Sequence, residues 1–108
     1  MKNIFTLSLL LVAVLAISCS SMRKFDRVED TSAERYNIVY KDGKCGLYDR
    51  QADSLVTAVK YDALSFGRTA SEEGYVFTIW VGEIGDYKGV LAVESSTNEP
   101  TEIMFPKQ

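Results

Sequence analysis

Cys45 stands beside Lys44, and a cation near a thiol lowers its pKa and favours the nucleophilic thiolate. Two features of the sequence argue against a reactive centre there. The chain has no histidine to serve as a base. Neighbours along an extended strand also point to opposite faces, so Lys44 would turn away from the Cys45 sulfur. Cys45 therefore reads as a strand cysteine without a chemical role. Among the carboxylates, Asp49 and Asp53 bracket "DRQAD", Glu72 and Glu73 adjoin in "GRTASEEG", and Asp62 follows Tyr61. "DRQAD" lacks the alternating oxygen ligands and the glycine of a calcium loop. These acids read as solvated turn and loop residues, and Asp62 as a hydrogen-bonding residue at a turn or strand end. Without imidazole, and with thiols only at Cys19 and Cys45, no ligand set for zinc or copper is at hand. No metal, no cofactor and no enzymatic activity is expected. What remains is a load of rings: Tyr36, Tyr40, Tyr48, Tyr61, Tyr75, Trp80 and Tyr87. A small domain is not expected to bury them all, and exposed Tyr and Trp often dominate interfaces. Tyr75, Trp80 and Tyr87 could form a surface for a partner or a glycan. Tyr48, next to a hairpin, and Trp80, on the face of its strand with fewer apolar residues, are the expected binding residues.

The elements that must carry these rings read as short strands. "RYNIVYK" is β-branched and aromatic, "DG" is a preferred two-residue hairpin turn, and "KCGLYD" is the return strand. "RQADS" is a turn, "LVTAV" a third strand and "ALSF" a fourth. "GRTASEEG" reads as a loop. "YVFTIWV" alternates Tyr75, Phe77, Ile79 and Val81 with Val76, Thr78 and Trp80, and with both faces apolar it is expected to be central. "YKGVLAVES" and "TEIMF" complete the series, the last ended by Pro106. No stretch after residue 34 keeps a 3.6-residue apolar period, so the expected fold is all-β: a small antiparallel meander or partly closed sheet over residues 35–108. About 74 residues are too few for two large sheets, so the sheet is expected to curl or close to bury its face.

The N-terminus has a different texture. Lys2 is followed by "IFTLSLLLVAVLAI", too short for a membrane span of about 20 residues but fitting the apolar region of a secretory signal. "LAISCSS" follows. Ser18-Cys19 at the end of this run resembles the lipobox of bacterial lipoproteins. That resemblance implies that residues 1–18 are a lipoprotein signal peptide, that Cys19 is the lipidated first residue of the mature protein, and that the membrane is a partner through the lipid. Several acyl chains on one residue anchor firmly, at about 0.8 kcal/mol per buried CH₂. Residues 20–34, "SSMRKFDRVEDTSAE", read as a polar tether. With Lys2 removed, 11 basic and 15 acidic residues leave a side-chain charge of −4. Such a domain is no candidate for nucleic acid, which calls for a basic patch. With Cys19 acylated, Cys45 has no cysteine to pair with, and the fold must hold by packing or association.

Gly43, Lys44, Gly46, Leu47, Tyr48 and Asp49, then a turn, then Tyr61-Asp62 and Phe66, resemble a WG repeat, whose pattern is G-K-W-G-apolar-apolar-D, a turn, an apolar strand and Y-D-x-apolar-x-x-F. Cys45 stands where that family has Trp, and Ala52 and Asp53 occupy a turn that usually holds Gly. A more degraded copy starts near Tyr87, and Gly46 and Gly89 lie 43 residues apart. Read physically, Gly46 lets a neighbouring backbone or ring approach its strand closely. Such β units stack, because one alone cannot bury its face. The resemblance implies a structural or binding module and not a catalytic family. The expected function is a lipid-anchored scaffold or protein-binding module of the bacterial cell envelope, facing the periplasm. The alternative is a small envelope inhibitor or immunity-type protein, which a protruding acidic loop at Glu72 and Glu73 would favour.

Overall fold

The computed structural model describes residues 23–108, and the hairpin at Asp42-Gly43 organises its first half. Both residues adopt left-handed φ, 53° and 80°, which suits a tight hairpin whose twist matches its strands. The chain forms β1 (Arg27–Asp30), β2 (Tyr36–Lys41), β3 (Lys44–Asp49), β4 (Ser54–Leu55), β5 (Ala63–Glu72), β6 (Tyr75–Ile84), β7 (Tyr87–Glu94) and β8 (Pro100–Pro106). The fold is all-β and antiparallel, as expected. It is, however, two four-stranded meanders, β1-β2-β3-β4 and β5-β6-β7-β8, neither of them closed, rather than one curled sheet. The expected signal peptide and the expected lipidation site, Cys19, lie outside the described residues.

Three local expectations are corrected. Part of the expected tether is structure: Asp26 N–H donates to the Tyr40 carbonyl at 2.7 Å and β1 pairs with β2 from Arg27↔Tyr40 to Asp30↔Asn37. "GRTASEEG" is not a loop. It continues β5 after a bulge at Gly67, and only Glu73-Gly74, with φ 53° and 85°, turns the chain into β6. "LVTAV" is a strand for only one of its residues, Leu55. Beyond it the chain still follows β3, but irregularly. The Thr57 hydroxyl replaces a backbone carbonyl and accepts from Leu47 N–H at 3.0 Å. Regular pairing returns where Cys45 and Tyr61 exchange hydrogen bonds at 2.7 and 2.9 Å.

The irregularity has a cause in the sequence. A Cβ on Gly46 would meet the Ala58 carbonyl oxygen at 2.8 Å, so the chain crosses there only because position 46 has no side chain. This is the close approach that the sequence implied.

The main core lies between the sheets. Tyr36, Ile38, Cys45 and Leu47 face Leu64, Trp80, Leu91 and Val93, with Tyr61 from the connection. Trp80 makes edge-to-face contacts with Tyr36 and Phe66 at 5.9 and 5.1 Å between centroids, an arrangement favoured by ring quadrupoles. A second cluster of Phe25, Val39 and Tyr48, with Val59 against it, covers the far face of the first sheet. A polar clamp joins the sheets at one end. Arg35 holds Asp49, and its Nη1 donates to the Ser95 carbonyl at 2.9 Å. Asn98, in the β7–β8 turn, donates to Asp49 and accepts from the Tyr36 hydroxyl at 2.8 Å.

Candidate binding face

The two rings singled out from the sequence are core. Tyr48 is 1% exposed and Trp80 0%, so neither presents a surface. Counting apolar residues misplaced Trp80. The face of β6 with fewer of them, Thr78, Trp80 and Gly82, is the one turned to the first sheet. The small residues there make room: a Cβ on Gly82 would meet the Tyr61 ring at 3.0 Å, and Thr78 Oγ1 accepts the Trp80 indole N–H at 2.8 Å. Tyr48 lies under Phe25, at 5.9 Å between centroids, a contact that a free tether would not provide. Its hydroxyl hydrogen-bonds Asp53.

The other residues with chemical potential are placed as follows. Cys45 is buried, and burial raises its thiol pKa, which opposes reactivity. Asp49 is not a solvated turn residue. Burial pushes its pKa up, but the Arg35 guanidinium, the Asn98 amide and the N–H groups of Ala52 and Gln51 outweigh it and hold the carboxyl at about 2. Asp62 pairs with Lys44 and accepts Gly85 N–H at 2.6 Å, the strand-end role expected of it. Tyr61 donates to Glu102, which Lys60 also holds at 3.0 Å. Burial and that carboxylate drive the Tyr61 phenol pKa far up. These groups tie strands together. Among the described residues no three His, Cys, Asp or Glu side chains converge as a metal site would need.

The feature that sequence reasoning missed is the outer face of the second sheet. Register places Arg68, Ile79, Ala92 and Thr101 in one row, Ser65, Val81, Val90 and Ile103 in the next, and Ala63, Glu83, Lys88 and Phe105 beyond. Val90, Ile103 and Phe105 are 41, 55 and 61% exposed, and Ile79, Val81 and Ala92 are half-buried between them. At the opposite end, Tyr75, Phe77, Glu94, Thr97, Glu99 and Thr101 line a shallow groove of about 350 Å³. Nothing among the described residues covers this face. The signal was present in the sequence, since Tyr75, Phe77, Ile79 and Val81 alternate, but alternation alone cannot say which face of a strand meets water.

A 43-residue offset explains the character of the face. It carries Val39↔Gly46 onto Gly82↔Gly89, and Tyr36↔Asp49 onto Ile79↔Ala92, with identical pairing. Like Gly46, Gly89 is crossed by the next strand, where a side chain would strike the Ile103 carbonyl and Met104. Under this offset the inward residues Tyr36, Ile38 and Leu47 of the first sheet correspond to Ile79, Val81 and Val90. The two sheets are therefore stacked in the same sense. The face that the first sheet buries against the second is the face that the second leaves open. At the other end of the stack, Phe25 and Val59 close the corresponding surface.

No family model, no curated protein and no solved structure matches this chain.

Proposed function

We infer that the protein is a non-catalytic, lipid-anchored module of the bacterial cell envelope, facing the periplasm, that binds another protein through the outer face of its second sheet. The open apolar face carries this reading. Contiguous exposed apolar surface on a small domain marks an interaction site. Two of the four sheet edges, by contrast, are guarded against strand addition: β8 is bracketed by Pro100 and Pro106, and β1 is charged at Arg27, Glu29 and Asp30. The resemblance of residues 43–66 to a WG repeat, and the second unit offset by 43 residues, support a stacking module. The Ser18-Cys19 sequence supports the anchor.

A substitution in the middle of the face provides the test. Val90→Glu places a charge there without touching the core between the sheets, since Val90 points outward and is exposed. In membranes of cells making the acylated chain, it should abolish cross-linking of the protein to its partner while the fold, followed by the near-ultraviolet signal of Trp80, is kept. Partner capture that survives Val90→Glu would remove this face from the function.

The inhibitor or immunity-type reading has one observation in its favour. The β5–β6 hairpin has ten-residue strands and ends in Glu72 and Glu73, both exposed. Replacing both by Ala should leave partner binding unchanged on the scaffold reading and abolish it on the inhibitor reading.

A further inference from the structure

Resting on the reading of this face as a protein-binding surface, we propose that its occupant is a second copy of the chain, packed face to face about a two-fold axis. Three observations point there. The stack can be extended in only one direction. A head-to-tail copy would have to present the far face of its first sheet, and Phe25 and Val59 already cover that surface. The open face can still meet itself, and an isologous contact of this kind closes at two.

The second observation is charge. On β7 the outward residues run Lys88, Val90, Ala92, Glu94. A two-fold axis crossing the strand between Val90 and Ala92 sets Lys88 of one copy over Glu94 of the other, twice. Lys88 forms no ion pair among the described residues, since Glu83 beside it is taken by Lys107 at 2.8 Å. Glu94 accepts from Ser96 and Thr97 through Oε2, which leaves Oε1 for a cation. The same operation brings Phe105, 61% exposed, toward the groove between Tyr75, Phe77 and Glu99. Projection thus meets recess, and cation meets carboxylate.

The third observation is area. Four strands about 4.8 Å apart and rows covering roughly 27 Å give on the order of 500 Å² per copy, or about 1,000 Å² in total, the lower bound of a specific interface. The two-sheet stack thereby becomes four sheets, with the aliphatic residues of both open faces inside.

The experiment uses the full-length acylated chain in native membranes, treated with a zero-length carbodiimide, and the same protein extracted in mild detergent for mass by light scattering. The expected result is a species of twice the chain mass with a Lys88–Glu94 amide in its peptide map. Six residues along one strand separate these side chains by about 20 Å, so the link cannot form within one copy. Val90→Glu should reduce the pair by roughly tenfold or more. Lys88→Glu and Glu94→Lys should each reduce it, and the double variant should restore it. All variants are compared only where the near-ultraviolet signal of Trp80 is retained. A single-chain mass at every concentration overturns the pairing, as does a ladder of higher multiples. A single-chain mass with an adduct to a different protein, lost in Val90→Glu, overturns the second copy but leaves the binding face standing. A single-chain mass with no adduct overturns both. Labelling of Ile103 and Phe105 by a photoreactive lipid in the same membranes overturns both in favour of a face laid on the bilayer.

Discussion

Arg35 grips Asp49 with one edge of its guanidinium: its Nε lies 3.1 Å from each carboxylate oxygen, and its Nη2 lies 2.8 Å from Oδ2. The carboxylate is fully buried, and Asn98 joins it from the second sheet. A buried charge is tolerated only when its oxygens are satisfied in this way. The folded-state pKa of about 2 lies below the ordinary 3.8, so the folded form favours the ionised group. Its contribution, about 2 kcal/mol, is present above pH ~4 and is lost as pH falls from there towards 2. Urea unfolding followed by Trp80 fluorescence should show the midpoint dropping through that window. Asp49→Asn should lower stability at pH 7 and flatten the acid slope. An unchanged slope would mean that the clamp is not the source.

Removing the core rings should cost stability. Trp80→Ala should destabilise by about 3–5 kcal/mol, and Tyr48→Ala by a similar amount, because each leaves a cavity that rigid sheets cannot close. Circular dichroism melts would measure this. A loss below 1 kcal/mol would contradict the burial described for these side chains.

Two glycines should respond alike although they lie 43 residues apart. Gly46→Ala meets the Ala58 carbonyl, and Gly89→Ala meets the backbone of Ile103 and Met104. Neither neighbour is the flexible end of a side chain, so each substitution should cost about 1–3 kcal/mol, with Gly89 the more severe. In a domain this small that is a fall of about 4–8 °C in Tm per kcal/mol. Gly43→Val strains a φ of 80° and should also destabilise, without any clash.

The Cys45 thiol should be inert in the folded protein. Burial raises its pKa and excludes reagents. Maleimide at pH 8 should leave it unmodified in buffer and label it fully in denaturant, as read by intact mass. Rapid labelling of the folded chain would place Cys45 at a surface.

Much of the ladder was legible in the sequence, for a physical reason. Asp42-Gly43 reads as a turn because few residues tolerate left-handed φ, and the strands on either side are rich in β-branched and aromatic residues. Gly46 reads as a crossing point because a strand glycine gives up packing for proximity. The outer half of β5 was not legible. Arg68, Thr69, Ser71 and Glu72 are polar because they flank a sheet edge in water, and an edge strand of that composition looks like a loop. β1 was hidden similarly, with Val28 its only apolar residue. Trp80 was misread because the sheet packs where side chains interdigitate, around Thr78 and Gly82, and not where apolar residues are most numerous. The number of sheets depends on how strands stack, and no single strand encodes that. The open face was hidden for the same reason: it is apolar in the manner of a core face, and only the stacking reveals that nothing follows it.

The early docking of Phe25 shortens the leash. With a lipid on Cys19, only residues 20–24 separate the anchor from the folded domain, a reach of at most about 20 Å. Phe25 sits on the far face of the first sheet, so the described chain begins on the side of the stack opposite the open face. On the proposed anchor the domain would be held near the headgroups, and its encounters would be confined to a thin layer over one leaflet. In that layer the search for a partner would be two-dimensional. Confinement of that kind would raise the paired fraction at a given affinity, and releasing the lipid would lower it without altering a single contact.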